Sequence, residues 1–144
     1  MQKSADTHLN FDISVAKEHS EKNPVYYVQY AHARICSILK KSKHKTQKSK
    51  VNFRLLEHPS ELALVKQLIR FPEVIEDTAK NYQVQRVPQY AIDLAESFHK
   101  FYQECQVISD DKELTKARLS LILATQVVLK NTLNLMGISA PEKM

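Results

Sequence analysis

Asn23 to Leu39 reads NPVYYVQYAHARICSIL, and the periodicity of this run decides the fold class. Asparagine in N-cap position followed by proline at the first helical residue is a strong helix start. At 100° per residue, Val25, Val28, His32, Ile35 and Leu39 share one apolar stripe, with spacings of 3 and 4. Tyr26, Tyr27, Tyr30 and Arg34 gather on the opposite side. Buried by its aliphatic stripe, such a helix presents three phenol rings and a guanidinium on its other face. Unpaired bases stack on rings and guanidinium planes, and arginine also binds phosphate. A second protein layer would accept the same rings with their hydroxyls at the rim, which is the commoner use of an aromatic stripe. Periodicity leaves both open.

Outward from this helix the chain is helical almost throughout. A single glycine, Gly137, and an abundance of Ala, Leu, Lys, Glu and Gln argue against a sheet. Upstream, Asp12 can cap a short helix over residues 13–20, with Val15 and Ala16 facing inward. Downstream, the Asn23 helix runs to about Lys41. Residues 40–53 lack apolar periodicity and read as a flexible basic loop. Residues 51–57 form a connector, extended or helical. His58, Pro59 and Ser60 open a helix whose buried stripe is Leu62, Val65, Leu68 and Ile69, with Arg70 near its end. Pro72 is expected to break it and start another through Val74, Ile75, Thr78, Ala79 and Tyr82. Pro88 begins a helix to about Gln106 on a stripe of Ala91, Leu94, Phe98, Phe101 and Cys105. The longest segment follows, with Asp110 or Asp111 as cap and Gly137 as stop. Its apolar face, from Leu114 to Met136, is broad enough to be covered from two sides and belongs at the centre of a bundle. The expected architecture is all-α, a bundle of five or six helices.

A chain of 144 residues can bury a sizeable core without disulfides or metal. Cys36 and Cys105 lack CxxC spacing and read as buried thiols of a reduced, cytoplasmic protein. No apolar run reaches the roughly 18 residues of a membrane span, so no membrane partner is expected. Six of the 21 Lys and Arg residues lie between 40 and 50 with no acid among them, leaving 15 against 16 acidic residues elsewhere. That basic segment can meet a polyanion or simply stay solvated. Catalytic arrangements are absent from the sequence: there is no glycine-rich phosphate loop, no HxxxH pairing among the six histidines, and no nucleophile with a plausible base. His32, on the apolar stripe, reads as a satisfied structural imidazole. Neither catalytic nor metal-ligating residues are assigned.

The run NPVYYVQYAHARI (23–35) resembles the segment of bacterial arginyl-tRNA synthetases that follows their catalytic domain, and residues 4–24 look like its lead-in. LIRFPEVIEDTAK (68–80), YAIDLAESFHKFYQEC (90–105) and LNLMGISAPEKM (133–144) resemble the DALR-type anticodon-binding domain of the same family. Residues 40–53 match no part of that pattern. The resemblance implies a fragment of a larger enzyme: residues 1–22 leading in from the catalytic domain and residues 23–144 forming the helical anticodon-binding domain. The parent would join arginine to its tRNA using ATP with Mg, whereas this piece lacks the class I catalytic motifs, holds no cofactor and would not charge tRNA alone. Its partners would be the anticodon stem–loop of an arginine tRNA, in which a central cytosine is the chief identity element, and its own catalytic domain. Tyr26, Tyr27, Tyr30 and Arg34 match the family motif and are the first candidates for RNA contact, with Gln29 as an edge hydrogen-bonder. Tyr90, His99 and Tyr102 lie at or beside an apolar stripe, Arg86 and Arg118 could reach phosphates, and Met144 closes the chain near the bundle. Lys143 stands where related endings often carry arginine, which removes a bidentate fork there. An anticodon domain of another class I synthetase, or a helical domain that docks protein on its tyrosine face, are the alternatives.

Overall fold

The computed structural model describes residues 12–42 and 51–144. Among them, α1 spans Ile13–Lys17, α2 Pro24–Lys41, α3 Pro59–Asn81, α4 Arg86–Glu104 and α5 Lys112–Leu135, with a 3₁₀ turn at Phe53–Leu55 and no strand. The bundle is all-α as expected. Residues 1–11 and 43–50, and with them most of the basic loop, lie outside the described residues.

Polar side chains start the helices. Asn23 Oδ1 accepts from the backbone N–H groups of Val25 and Tyr26, at 3.1 and 3.4 Å. Its Nδ2 reaches back to the carbonyls of Ala16 and Glu18, so one residue caps α2 and ties α1 to it. Such a cap stabilises a helix by about 1 kcal/mol. Asp111 caps α5 by accepting from Glu113 and Leu114. Gly137, at φ +70°, ends that helix in the left-handed region that glycine enters without a Cβ penalty.

The core is centred on α5, which touches α2, α3, α4 and the 3₁₀ turn. Ile122, Leu129 and Leu133 of α5, Leu94, Phe98 and Phe101 of α4, Ile35 of α2 and Leu64 of α3 are all essentially inaccessible. Each large side chain so placed contributes about 1.5–3 kcal/mol relative to leaving it in water. Cys36 and Cys105 are buried and free.

Four local expectations need correction. In α1 no residue is buried: Val15 is half-covered, Ala16 exposed, and the helix stops at Lys17. In α2 the buried arc is Val28, Ala31, His32, Ala33, Ile35 and Cys36, while Val25 stays 43% exposed. Two alanines lie in that arc and its centre shifts away from Val25, while Leu39 packs partly buried against the core. The helix at Pro59 does not end at Pro72 but continues to Asn81, which places Arg70 in mid-helix. Proline's φ suits a helix, so the cost is one backbone donor and crowding at the preceding turn. Pro72 is exposed, and the carbonyl it leaves without a donor can be met by water. Finally, α3 packs chiefly on α4, with Leu64 buried and Val65, Leu68, Phe71 and Val74 partly buried against the core, leaving Leu62 and Ile69 at the surface.

The inward position of Glu61 accounts for that last shift. Its Oε2 accepts from the His58 backbone N–H at 2.9 Å, completing a capping box at the start of α3. Its Oε1 accepts from Arg118 Nε at 2.6 Å. A carboxylate only 1% exposed is tolerated because both oxygens are bonded and one bond is to a cation.

Candidate nucleic-acid interface

The tyrosine face of α2 is built as its periodicity suggests, and α4 extends it. Tyr26 and Tyr30, one turn apart, stack at 6.4 Å between ring centroids and 13° between planes. From α4, His99 lies 6.0 Å from Tyr30 and 5.0 Å from Tyr27. Arg34 sits one turn beyond Tyr30, its guanidinium carbon 5.9 Å from the Tyr30 ring and 4.9 Å from that of Tyr102. Tyr102 leans on Phe98, which is fully buried and fixes this side of α4. Six of the expected residues, Tyr26, Tyr27, Tyr30, Arg34, His99 and Tyr102, thus form one continuous surface of rings around one cation. Among the described residues no carboxylate pairs with Arg34 at ion-pair distance. Its charge is unspent.

The chemistry of this surface is set by partial burial. Tyr30 is 37% exposed, and Arg34 is exposed. Burial, with help from the carboxylates of Glu96 and Glu21, raises the Tyr27 phenol above its ordinary value and keeps it a neutral donor. Burial, joined by Arg34 and opposed by Glu21, lowers the His99 imidazole below its ordinary 6.5. The unfolded chain then takes up a proton near 6.5 that the folded chain refuses, so this group reduces stability as pH falls below 6.5 and adds no slope above it. The thermal midpoint is expected to drop between pH 7 and pH 5, and part of that slope should vanish in His99→Phe. Melting curves at four pH values would check this.

Residues 138–144 run beside α2. Gln29 Nε2 donates to the Ser139 carbonyl at 2.8 Å, His32 Nδ1 donates to that of Pro141 at 2.9 Å, and Lys40 pairs with Glu142 at 2.7 Å. Gln29 is therefore engaged by the tail. His32, 2% exposed, is the satisfied structural imidazole that the stripe suggests. Met144 follows with 52% of its surface exposed.

The remaining candidates lie elsewhere. Tyr90 is 3% exposed, and its hydroxyl donates to the Gln67 carbonyl at 2.9 Å. Burial pushes its phenol up to about 12. Arg118 is held by Glu61 and by the Gln106 carbonyl at 2.8 Å, with 13% of its side chain exposed. Both are structural in this fold, and the geometry gives neither a free surface for RNA. Arg86 bonds Gln83 and pairs with Asp77 at 3.3 Å, beside a groove between α3 and α4. Periodicity missed one member of the ring surface: His19, between α1 and α2, stacks on Tyr26 at 5.4 Å and 24°. It lies outside any helix, so no face could be assigned to it. Among the described residues no group of acids, histidines and cysteines could hold a metal, and no helix is long and apolar enough to cross a membrane.

Residues 28–144 match the model of the DALR anticodon binding domain. Arginine–tRNA ligase of Salinibacter ruber is 47% identical over 146 residues, covering all of this chain and 26% of that protein. Among solved structures, arginyl-tRNA synthetase of Plasmodium falciparum superposes with a TM-score of 0.82 at 26% identity, over 99% of this chain and 25% of that one. The Thermus thermophilus arginyl-tRNA synthetase gives 0.72 at 34% identity, over 82% and 21%. The chain spans about a quarter of the length of the curated relatives it matches.

Proposed function

This chain belongs to the DALR anticodon binding domain family, and on that premise we propose that it is the part of an arginyl-tRNA synthetase that grips the anticodon loop of arginine tRNA. Residues 23–144 are the binding domain, and the residues before them lead in from a catalytic domain. That domain would supply the ATP- and Mg-dependent joining of arginine to tRNA, and this chain would contribute affinity and choice of tRNA. The observation that supports the reading is the joined surface of Tyr26, Tyr27, Tyr30, His99, Tyr102 and Arg34, with an unpaired guanidinium among exposed rings. Loop bases are read by stacking on rings and by hydrogen bonds to their edges, and a guanidinium within that surface serves both stacking and phosphate. Gln29, bonded to the tail, and the exposed Met144 at its end are the remaining contacts of this reading. Arg86 is left for a phosphate at the periphery.

The test is a titration of the chain with an arginine tRNA anticodon stem–loop beside a loop whose central cytosine is replaced, each at two salt concentrations. Preferential binding of the first loop, weakening with salt, is the expected result. Equal binding to both, lost entirely at the higher salt, would transfer the role to the basic residues 40–50.

A further inference from the structure

Among the described residues, the buried side-chain polar atom without a hydrogen-bond partner is His99 Nε2. Buried polar atoms are almost always paired, and an orphan inside a binding surface commonly marks a group kept for a ligand. The imidazole is packed by Tyr27 at 5.0 Å, Phe98 at 5.4 Å and Tyr30 at 6.0 Å. Phe98 is fixed in the core and Tyr27 is half-buried, whereas Tyr30 is 37% exposed. Of the three, only Tyr30 can leave without opening the bundle. Arg34, exposed and 5.9 Å over the Tyr30 ring, places a cation beside it.

We infer that Tyr30 is a lid over His99, displaced with its ring stacked on an unpaired base of single-stranded RNA that settles on the tyrosine face, and that His99 Nε2 then bonds the edge of that base. The inference rests on the RNA-binding reading of this face and adds a specificity-determining residue to it. In the free protein the orphaned nitrogen makes the closed arrangement of Tyr30 costly, so part of the penalty of moving it is already met before RNA binds. A neutral imidazole carries one N–H and one lone pair, so Nε2 takes an acceptor or a donor on the base edge according to tautomer. Burial lowers the imidazole below its ordinary value, which favours that neutral form.

The experiment is a titration of the unaltered chain, His99→Phe, His99→Gln and Tyr30→Ala with the anticodon stem–loop, alongside melting curves and ¹⁵N spectra of the histidine rings. His99→Phe keeps a ring against Phe98 and Tyr27 and removes the orphan. It should melt at or above the unaltered midpoint yet bind roughly five- to tenfold more weakly, with partial recovery in His99→Gln. In the unaltered chain the His99 Nε2 resonance should move on adding RNA, and in free Tyr30→Ala the imidazole should titrate closer to 6.5. Unchanged affinity in His99→Phe, with Tyr30→Ala still weakened, would overturn the lid and leave the RNA face standing. Failure of the unaltered chain to bind the loop, or indifference to Tyr30→Ala, would overturn the RNA face and the lid with it.

Discussion

Tyr30→Ala is expected to bind an arginine tRNA anticodon stem–loop roughly 5- to 150-fold more weakly than the unaltered chain, because a base stacked on an aromatic ring is worth about 1–3 kcal/mol. Tyr30 is the ring at the centre of the surface: it stacks on Tyr26, faces His99 and lies beneath Arg34. Its removal takes away both a platform for a base and the support of the guanidinium. The loss should be one of affinity rather than of folding, since a partly exposed ring on the outer side of α2 contributes little to the core. Arg34→Lys offers a related test: it keeps the charge, so the salt dependence should persist, while the planar stack over Tyr30 and Tyr102 is lost. Tyr82→Ala is the natural control, because Tyr82 is 87% exposed in the turn between α3 and α4 and has no place in the ring surface. Anisotropy titrations in which Tyr30→Ala and Tyr82→Ala bind alike would remove the tyrosine face from RNA recognition.

Arg118→Ala should cost about 3–5 kcal/mol of folding stability, a large share of the 5–15 kcal/mol typical of a domain. Removing the guanidinium leaves Glu61, 1% exposed, without its cation while the capping box still holds it in place. The Gln106 carbonyl loses its donor in the same change. Replacing both members, as Glu61→Gln with Arg118→Met, should recover much of the loss, since no buried charge then lacks a partner. RNA affinity of the folded fraction should be unchanged, because the pair belongs to α3 and α5 and not to the ring surface. Denaturant titrations give the stability; a loss below about 1 kcal/mol would mean that the pair contributes no more than a solvent-screened surface pair.

Arg118 also shows why some of the fold is hidden from a linear reading. As a sequence letter it is an exposed cation on a basic chain, and its partner lies 57 positions away. Glu61 is hidden in the same way: an acid at an inward position reads as an outward one, and the apparent stripe of α3 then slides to Leu62 and Ile69. Features that depend on neighbours a few residues away are legible. Asn23 and Asp111 announce their helices, Gly137 ends one, and the spacing of Tyr26, Tyr30 and Arg34 places them on one side of α2. The meeting of that side with His99 and Tyr102 needs the packing of α2 on α4, which family resemblance implies and periodicity does not. Pro72 misleads because the rule it obeys concerns an isolated helix, whereas α3 is held along its length by α4. Tyr90 misleads because a phenol beside a stripe can turn either way, and the Gln67 carbonyl decides which.

The seam between α2 and the tail carries a kinetic consequence. Gln29 meets Ser139, His32 meets Pro141 and Lys40 meets Glu142 across 110, 109 and 102 positions of chain. Contacts at such separation form only after the intervening loop entropy has been met, so the seam closes late, after the local turns of α2 have formed. On a ribosome the order is stricter still: α2 emerges before the tail, and its seam with the tail must wait until residue 142 has left the exit tunnel. Until then His32 lacks the Pro141 carbonyl for its ring and Lys40 lacks the Glu142 carboxylate. A nascent chain stalled short of residue 142 would thus display α2 with an unfinished edge to chaperones and proteases, and emergence of residues 139–142 is itself the step that closes that edge.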